Sequence, residues 1–182
     1  CCFTGVTMGL LALPFYLHGL GQGTLTTGLF MTSWPLTVAF AAPAAGRLAD
    51  RMSTATLCAA GGACLAVGLA AASLWPLNGD PLPLVPATIL CGLGFGLFQV
   101  PNNRNMFLST PLERSGAAGG MQGTARLTGQ TAGGVIMSLL FGLVSTEAAP
   151  RVGLAIAAVL TLAAGIISTL RLKTITASPT GV

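Results

Sequence analysis

Charge is what this sequence has least of. Among 182 residues there are 8 Lys or Arg and 4 Asp or Glu, and charged residues make up 7%. A soluble domain carries about 25%. A water-soluble fold of this length needs far more charge to cover its surface, so a soluble globule is excluded. Most side chains must face lipid or one another, and the mean hydropathy of +0.81 agrees. There is one His, which leaves no Ser/His/Asp possibility inside the apolar runs and argues against an intramembrane enzyme. No glycine-rich phosphate loop is present. The five cysteines have no metal spacing, and Cys58, Cys64 and Cys91 lie inside apolar runs, where they read as small buried hydrophobes. The net charge of +4 is spread along the chain, without the basic tract that nucleic acid would require. The composition calls for no cofactor. The chain is apolar from Cys1 onward, with neither an initiator Met nor the basic flank of a signal peptide. It reads as a segment of a longer reading frame.

What is abundant is glycine, 25 residues, in long apolar stretches. A membrane span takes about 20 mostly apolar residues. Six stretches qualify or nearly so: Phe3–Leu17, Leu25–Ala45, Ser53–Trp75, Leu84–Phe107, Gly116–Ser145 and Val152–Leu170. The connections are too short for a soluble domain. The expected fold is an all-α polytopic membrane protein with six transmembrane helices in one bundle over residues 1–173, followed by a short tail, 174–182. Arg47, Arg51, Arg104, Arg114, Arg171 and Lys173 fall on one side if the spans alternate. The other side has Arg151 with Asp80 and Glu147. The basic side is predicted cytoplasmic, which places both the start of span one and the C-terminus inside, in a plasma (bacterial inner) membrane.

Pro14, Pro35 and Pro101 each remove a backbone donor inside a span and are expected to bend it. Gly92 and Gly96, Gly116 and Gly120, and Gly129 and Gly133 are each four apart, a spacing that predicts tight helix contacts.

The connection after span two reads GRLADRMSTATL, Gly46 to Leu57. Gly46 can end a helix in the left-handed conformation. Asp50 can cap a helix or pair with a neighbouring one, and Ser53 or Thr54 can cap span three. Gly-x-x-x-Asp-Arg at this place in a six-helix unit resembles the cytoplasmic signature loop of the major facilitator superfamily, met here by Gly46, Asp50 and Arg51. That family continues with Gly and two basic residues, where this chain has Ser53, Thr54 and Ala55. The weakened form is usual for the copy in the second half of these transporters. LPFYLHGLGQGTLTTGLFMTSWPL is similar to the start of that half in fourteen-helix drug:proton antiporters of the EmrB/QacA type. CGLGFGLFQVPNNRNMFLSTPLERSGAAGGMQGTARLTGQTAGG is similar to its fourth and fifth spans. One departure is His18, where relatives often have Gln. The resemblance covers nearly the whole chain. It implies the C-terminal half of an exporter of hydrophobic or cationic small molecules in exchange for protons. Its partners would be an N-terminal six-helix bundle, the substrate, protons and the bilayer.

The polar residues inside the spans are the candidate pathway. Arg126 lies 11 residues beyond Ser115, about 16 Å along a helix and near the middle of a hydrocarbon core of about 30 Å. A charge there costs about 3 kcal/mol or more against lipid, so it should face the bundle interior or a watery cavity. Gly119, Gln122, Arg126, Gly129 and Gly133 share a helix face, flanked by Gln130. Gln99, Asn102 and Asn103 form a matching polar face on span four. Tyr16 and Trp34 are candidate ligand contacts through their rings, and Trp75 is an interfacial anchor. Asp50, Asp80, Glu113 and Glu147 all lie in connections or at span ends. The embedded acid that proton coupling usually needs is therefore expected in the other half, or His18 takes part. Uptake of an organic anion bound by Arg126 is the alternative. A non-transporting membrane partner would need neither the polar face nor the signature loop.

Overall fold

The computed structural model describes residues 1–76 and 81–176, with backbone alone at 112 and 171–176. Six α-helices and one short 3-10 turn account for nearly all of the described residues. They are α1 (Cys2–Gly19), α2 (Thr24–Leu48), α3 (Thr54–Leu74), α4 (Leu84–Leu108), the 3-10 turn Leu112–Arg114, α5 (Ser115–Leu143) and α6 (Ala149–Thr176). Each predicted span becomes one helix. Helix α6 runs past the expected end of the bundle at 173. Residues 177–182 of the predicted tail, and Asp80, lie outside the described residues.

Five helices, α1 to α4 and α6, are long and apolar enough to cross a membrane. At 29 residues α5 is long enough. Its Gln122, Arg126, Gln130, threonines and glycines make it less apolar than the others. A bundle of apolar helices, without a strand among the described residues, is what the composition demands, because in lipid every backbone N–H must be satisfied within its own segment.

The packing has an internal symmetry. Helix α3 packs on α4 and α6, α1 packs on α6 and α5, and α2 packs on α4. Exchanging the first three helices with the last three maps these partnerships onto one another, so the bundle reads as two three-helix repeats. Helices α3 and α6 form the back. Helices α2 and α5 are the open flanks and bury only three residues each, Trp34, Ala41 and Ala45 on one and Ala118, Gly133 and Met137 on the other.

Two of the three predicted glycine pairs close helix contacts. A Cβ at Gly92 would stand 2.6 Å from the Trp34 carbonyl oxygen, and one at Gly96 would stand 2.8 Å from Ala41 Cβ, so α4 lies directly on α2. A Cβ at Gly129 or Gly133 would meet Phe3 or the Thr4 carbonyl of α1. The third pair corrects the expectation. Nothing lies within 4 Å of a Cβ at Gly116 or Gly120, because the first turns of α5 run along the open flank.

Local expectations fare similarly. Ser53 caps α3, its Oγ accepting from Thr56 N at 3.2 Å. Gly46 does not end α2. The helix continues to Leu48, and Ala49 follows in right-handed helical geometry. The positive φ, +75°, belongs to Gly21 in the turn between α1 and α2, where the Gln22 N–H reaches the Leu17 carbonyl at 3.1 Å. Pro14, Pro35 and Pro101 lie within continuous helices, as does Pro43. Around Pro35, Thr32, Ser33 and Thr37 donate to carbonyls of the preceding turn, which satisfies these hydroxyls within the apolar helix.

The two ends of the bundle differ. At one end Arg104 Nη1 is 2.7 Å from Asp50 Oδ1, which joins the α2–α3 turn to the last turn of α4. At the other, Arg151 Nε donates to the Ser73 carbonyl at 3.1 Å and the Tyr16 hydroxyl donates to the Trp75 carbonyl. Side chains of α6 and α1 thus satisfy the carbonyls at the end of α3, with a cation where the helix dipole is negative.

Candidate functional site

The polar residues of α4 and α5 meet at the basic end. Gln122 Nε2 donates to Asn103 Oδ1 at 2.8 Å. One turn further toward that end, Gly119 faces the Phe107 ring at 3.9 Å. Helices α4 and α5 otherwise touch little, so this hydrogen bond between half-buried side chains ties their basic-end halves together. Gln99 and Asn102 are half-buried on the same side of α4. Asn102 borders a recess of about 340 Å³ that also touches Phe98, Ala125 and Ser168.

Arg126 stands one turn beyond Gln122 and is exposed, as is Gln130. Among the described residues Arg126 has no hydrogen-bond or ion-pair partner. The reason is geometric. Helix α5 lies parallel to α1, with Gly129 against Phe3 and Gly133 against Thr4 and Thr7. Farther out, the Phe15 and Phe141 rings stand 4.7 Å apart. Arg126 shares the face of Gly133 but falls level with the first residues of α1, below the contact that the two glycines make. The predicted single face is therefore divided. Its outer part packs on α1, its inner part reaches α4, and the guanidinium sits between the two.

The two aromatic candidates are core residues. Tyr16 and Trp34 are 1% and 2% exposed. Tyr16 spends its hydroxyl on Trp75, and Trp34 lies over Gly9. Trp34 still forms the wall of a second recess of about 330 Å³, lined by Val6 and Leu10 of α1, Met31, Pro35 and Val38 of α2, and Phe95 of α4. The sequence reading missed Phe95. Its signal was the flanking glycines. Gly94 packs on α3 and Gly96 on α2, so Phe95 is turned toward α1, where it meets Phe3 edge-on at 6.2 Å. Neither the apolar recess nor the Asn103–Gln122 pair involves α3 or α6.

The signature turn is built as a surface link. Gly46 is half-buried inside α2, Arg51 is exposed, and Asp50 reaches Arg104 with both partners largely in solvent. Such a pair adds under about 1 kcal/mol to stability. Among the described residues no acid lies within an α-helix: Asp50 is in the turn, Glu113 in the 3-10 turn and Glu147 before α6. There is also no group of His, Cys, Asp and Glu there that could hold a metal.

A six-helix unit with a symmetric three-plus-three arrangement, one open side and an Asp-bearing turn after its second helix matches one known family along its whole length. The profile of the Major Facilitator Superfamily covers residues 1–181. The chain belongs to that superfamily. It is an integral multi-pass membrane protein with transporters for relatives. It is 40% identical over 173 residues to the uncharacterized transporter YebQ of Escherichia coli (strain K12), covering 94% of this chain and 38% of that protein. It is 29% identical over 127 residues to the riboflavin transporter RibZ of Clostridioides difficile (strain 630), covering 69% of this chain and 28% of that protein. The chain thus spans less than two fifths of the length of either relative. No solved structure matches it significantly.

Proposed function

We propose that the chain is the C-terminal six-helix half of a proton-coupled exporter of hydrophobic or cationic small molecules, working by alternating access. The observation that supports this most directly is the open side of the bundle. It has an apolar recess walled by Trp34 and Phe95; nearer the basic end Gln122 and Asn103 are hydrogen-bonded, and Gln99, Asn102, Arg126 and Gln130 lie on the same two helices, α4 and α5. A lipophilic cation needs an apolar surface, an aromatic face and a wet route out. Helices α3 and α6 cover the other side, so the N-terminal bundle has the open side to dock on. With no acid inside a described helix, the coupling carboxylates belong to that N-terminal bundle. The basic end is cytoplasmic, in a bacterial inner membrane.

The test uses the full-length protein in liposomes with an imposed proton gradient and a fluorescent lipophilic cation such as ethidium. Gradient-driven movement of the dye, abolished by a protonophore, is expected. Dye movement that ignores the gradient would remove the antiport reading. A second reading has support of its own, in the riboflavin-transporting relative and in the exposed cation Arg126. It is uptake of a planar or anionic solute. Gradient-driven accumulation of riboflavin or an aromatic carboxylate, with no movement of the cation, would favour it.

Two further outcomes follow from this arrangement. Asp50→Asn should slow transport several-fold with normal insertion, because the Asp50–Arg104 pair links α2–α3 to α4 while adding little stability. The exchanged pair Asp50→Arg with Arg104→Asp should recover part of the rate, as a double-mutant cycle requires of coupled residues. Unchanged transport in Asp50→Asn would reduce the turn to a connector. For topology, a cysteine at Thr146 should react with an impermeant thiol reagent outside intact cells and one at Ser53 should not, in a background where the native cysteines are replaced. The reverse labelling would invert the charge-based orientation.

A further inference from the structure

The α2–α3 turn and the end of α4 carry more positive charge than the Asp50–Arg104 pair uses. Arg47 and Arg51 flank Asp50 in one tight turn, held by the Asp50 N–H on the Arg47 carbonyl and the Arg51 N–H on the Leu48 carbonyl. Asp50 brings Arg104 of α4 against this turn. Three arginines therefore share this end of the bundle with one carboxylate, which pairs with Arg104, leaving a net of two positive charges. Asp50 engages Nη1 of Arg104, so the other N–H groups of that guanidinium remain to donate. Arg47 and Arg51 are exposed.

Apolar side chains lie beside these charges. Leu108, one turn after Arg104 on the same face of α4, is 74% exposed, and Met52 and Leu48 are 43% and 37% exposed. Water is a poor neighbour for such groups, and a soluble anion would leave them uncovered. Guanidiniums at the last turn of a span, with apolar residues at their side, fit a ligand that is anionic at its head and apolar below. Arginine is the cation best suited to it, because its planar fork holds two phosphate oxygens at once.

We propose that this surface binds the phosphate headgroup of an anionic phospholipid, with the acyl chains lying along Leu108 and Met52. Arg47 and Arg51 supply the net attraction. Arg104, steadied by Asp50, supplies the fixed donor. The site lies on the membrane-facing rim and does not depend on which solute the protein moves.

The experiment measures lipid binding to the full-length protein by native mass spectrometry, titrating phosphatidylglycerol against phosphatidylcholine. The wild type should bind phosphatidylglycerol more tightly. Each basic residue near a charged surface contributes a factor of roughly five, so Arg47→Gln with Arg51→Gln should lower that affinity by roughly twentyfold and leave phosphatidylcholine unchanged. Arg47→Lys with Arg51→Lys keeps the charge and should retain most of the preference. Arg151→Gln, at the opposite end, should leave it intact. Equal affinity for the two lipids in the wild type would overturn the proposal. So would an unchanged preference in the Gln pair, or the same loss in the Lys and Gln pairs, which would mark the turn as a packing element. Because the readout is binding, a failure here leaves the transport reading untouched, and a failure of transport leaves this result standing.

Discussion

Arg126→Ala in the full-length protein is expected to insert at least as well as the wild type and to lose roughly tenfold to hundredfold in transport per folded molecule. A charge-assisted hydrogen bond is worth about 1.5–3 kcal/mol, and each 1.4 kcal/mol is about a factor of ten in rate. Insertion should improve because a guanidinium near the middle of a span is unfavourable in lipid. Transport should suffer because Arg126 is exposed one turn from the Gln122–Asn103 hydrogen bond, with no partner of its own among the described residues. Arg126→Lys should fold and transport poorly, since it keeps the charge and loses the fork. The measurement is initial transport rate divided by the amount of monodisperse protein. Normal activity per molecule in Arg126→Ala, together with a lower folded yield, would assign the residue to scaffolding and remove it from the pathway.

The second large effect concerns folding. Helices α3 and α4 approach so closely that a Cβ at Gly61 would stand 2.6 Å from both the Gly94 carbonyl oxygen and the Phe98 nitrogen. A Cβ at Gly94 would in turn meet the Leu65 nitrogen and the Gly61 carbonyl. All of these are backbone atoms, and no rotamer change relieves the overlap. Gly61→Ala and Gly94→Ala should therefore each fall at or above the upper end of the about 1–3 kcal/mol that overpacking costs. Cys91 and Leu65 sit beside this crossing, so the core around α3 is disturbed with it. The expected result is a marked drop in melting temperature and in monodisperse yield in detergent. Gly142→Ala is the control, because nothing lies within 4 Å of its Cβ and alanine is the better helix former. Equal melting of Gly61→Ala and Gly142→Ala would show that the α3–α4 contact is looser than described.

The number and approximate limits of the helices, and which charges share an end of the bundle, were determined by the sequence alone. Whether a stretch spans a membrane is a sum over its own residues, so Ser53–Trp75 becomes a helix over Thr54–Leu74 and Leu84–Phe107 one over Leu84–Leu108. The Ser53 cap is local in the same way. Gly46 was misread because glycine permits a helix end without requiring one, and the apolar α2 continues a further turn. The absence of embedded acids was also legible, since it depends only on where Asp and Glu fall.

Only the tertiary structure decided how each helix is turned about its axis, and the site depends on that. In a soluble helix the polar face reports the rotation. Here the helices are apolar nearly all round, and lipid tails are as apolar as the core, so hydrophobicity does not distinguish the packed face from the lipid face. The rotation is set instead by where backbones can close upon each other. That is why the Gly129/Gly133 pair packs on α1 and the Gly116/Gly120 pair meets nothing, although their spacing is identical. It is why Tyr16 turns inward to the Trp75 carbonyl, why Phe95 walls a recess with α1 and α2, and why Asp50 meets Arg104. Arg126 shows both halves of this division. Its depth could be counted along the sequence, while its place between the α1 contact and the α4 contact followed from the parallel register of α5 on α1.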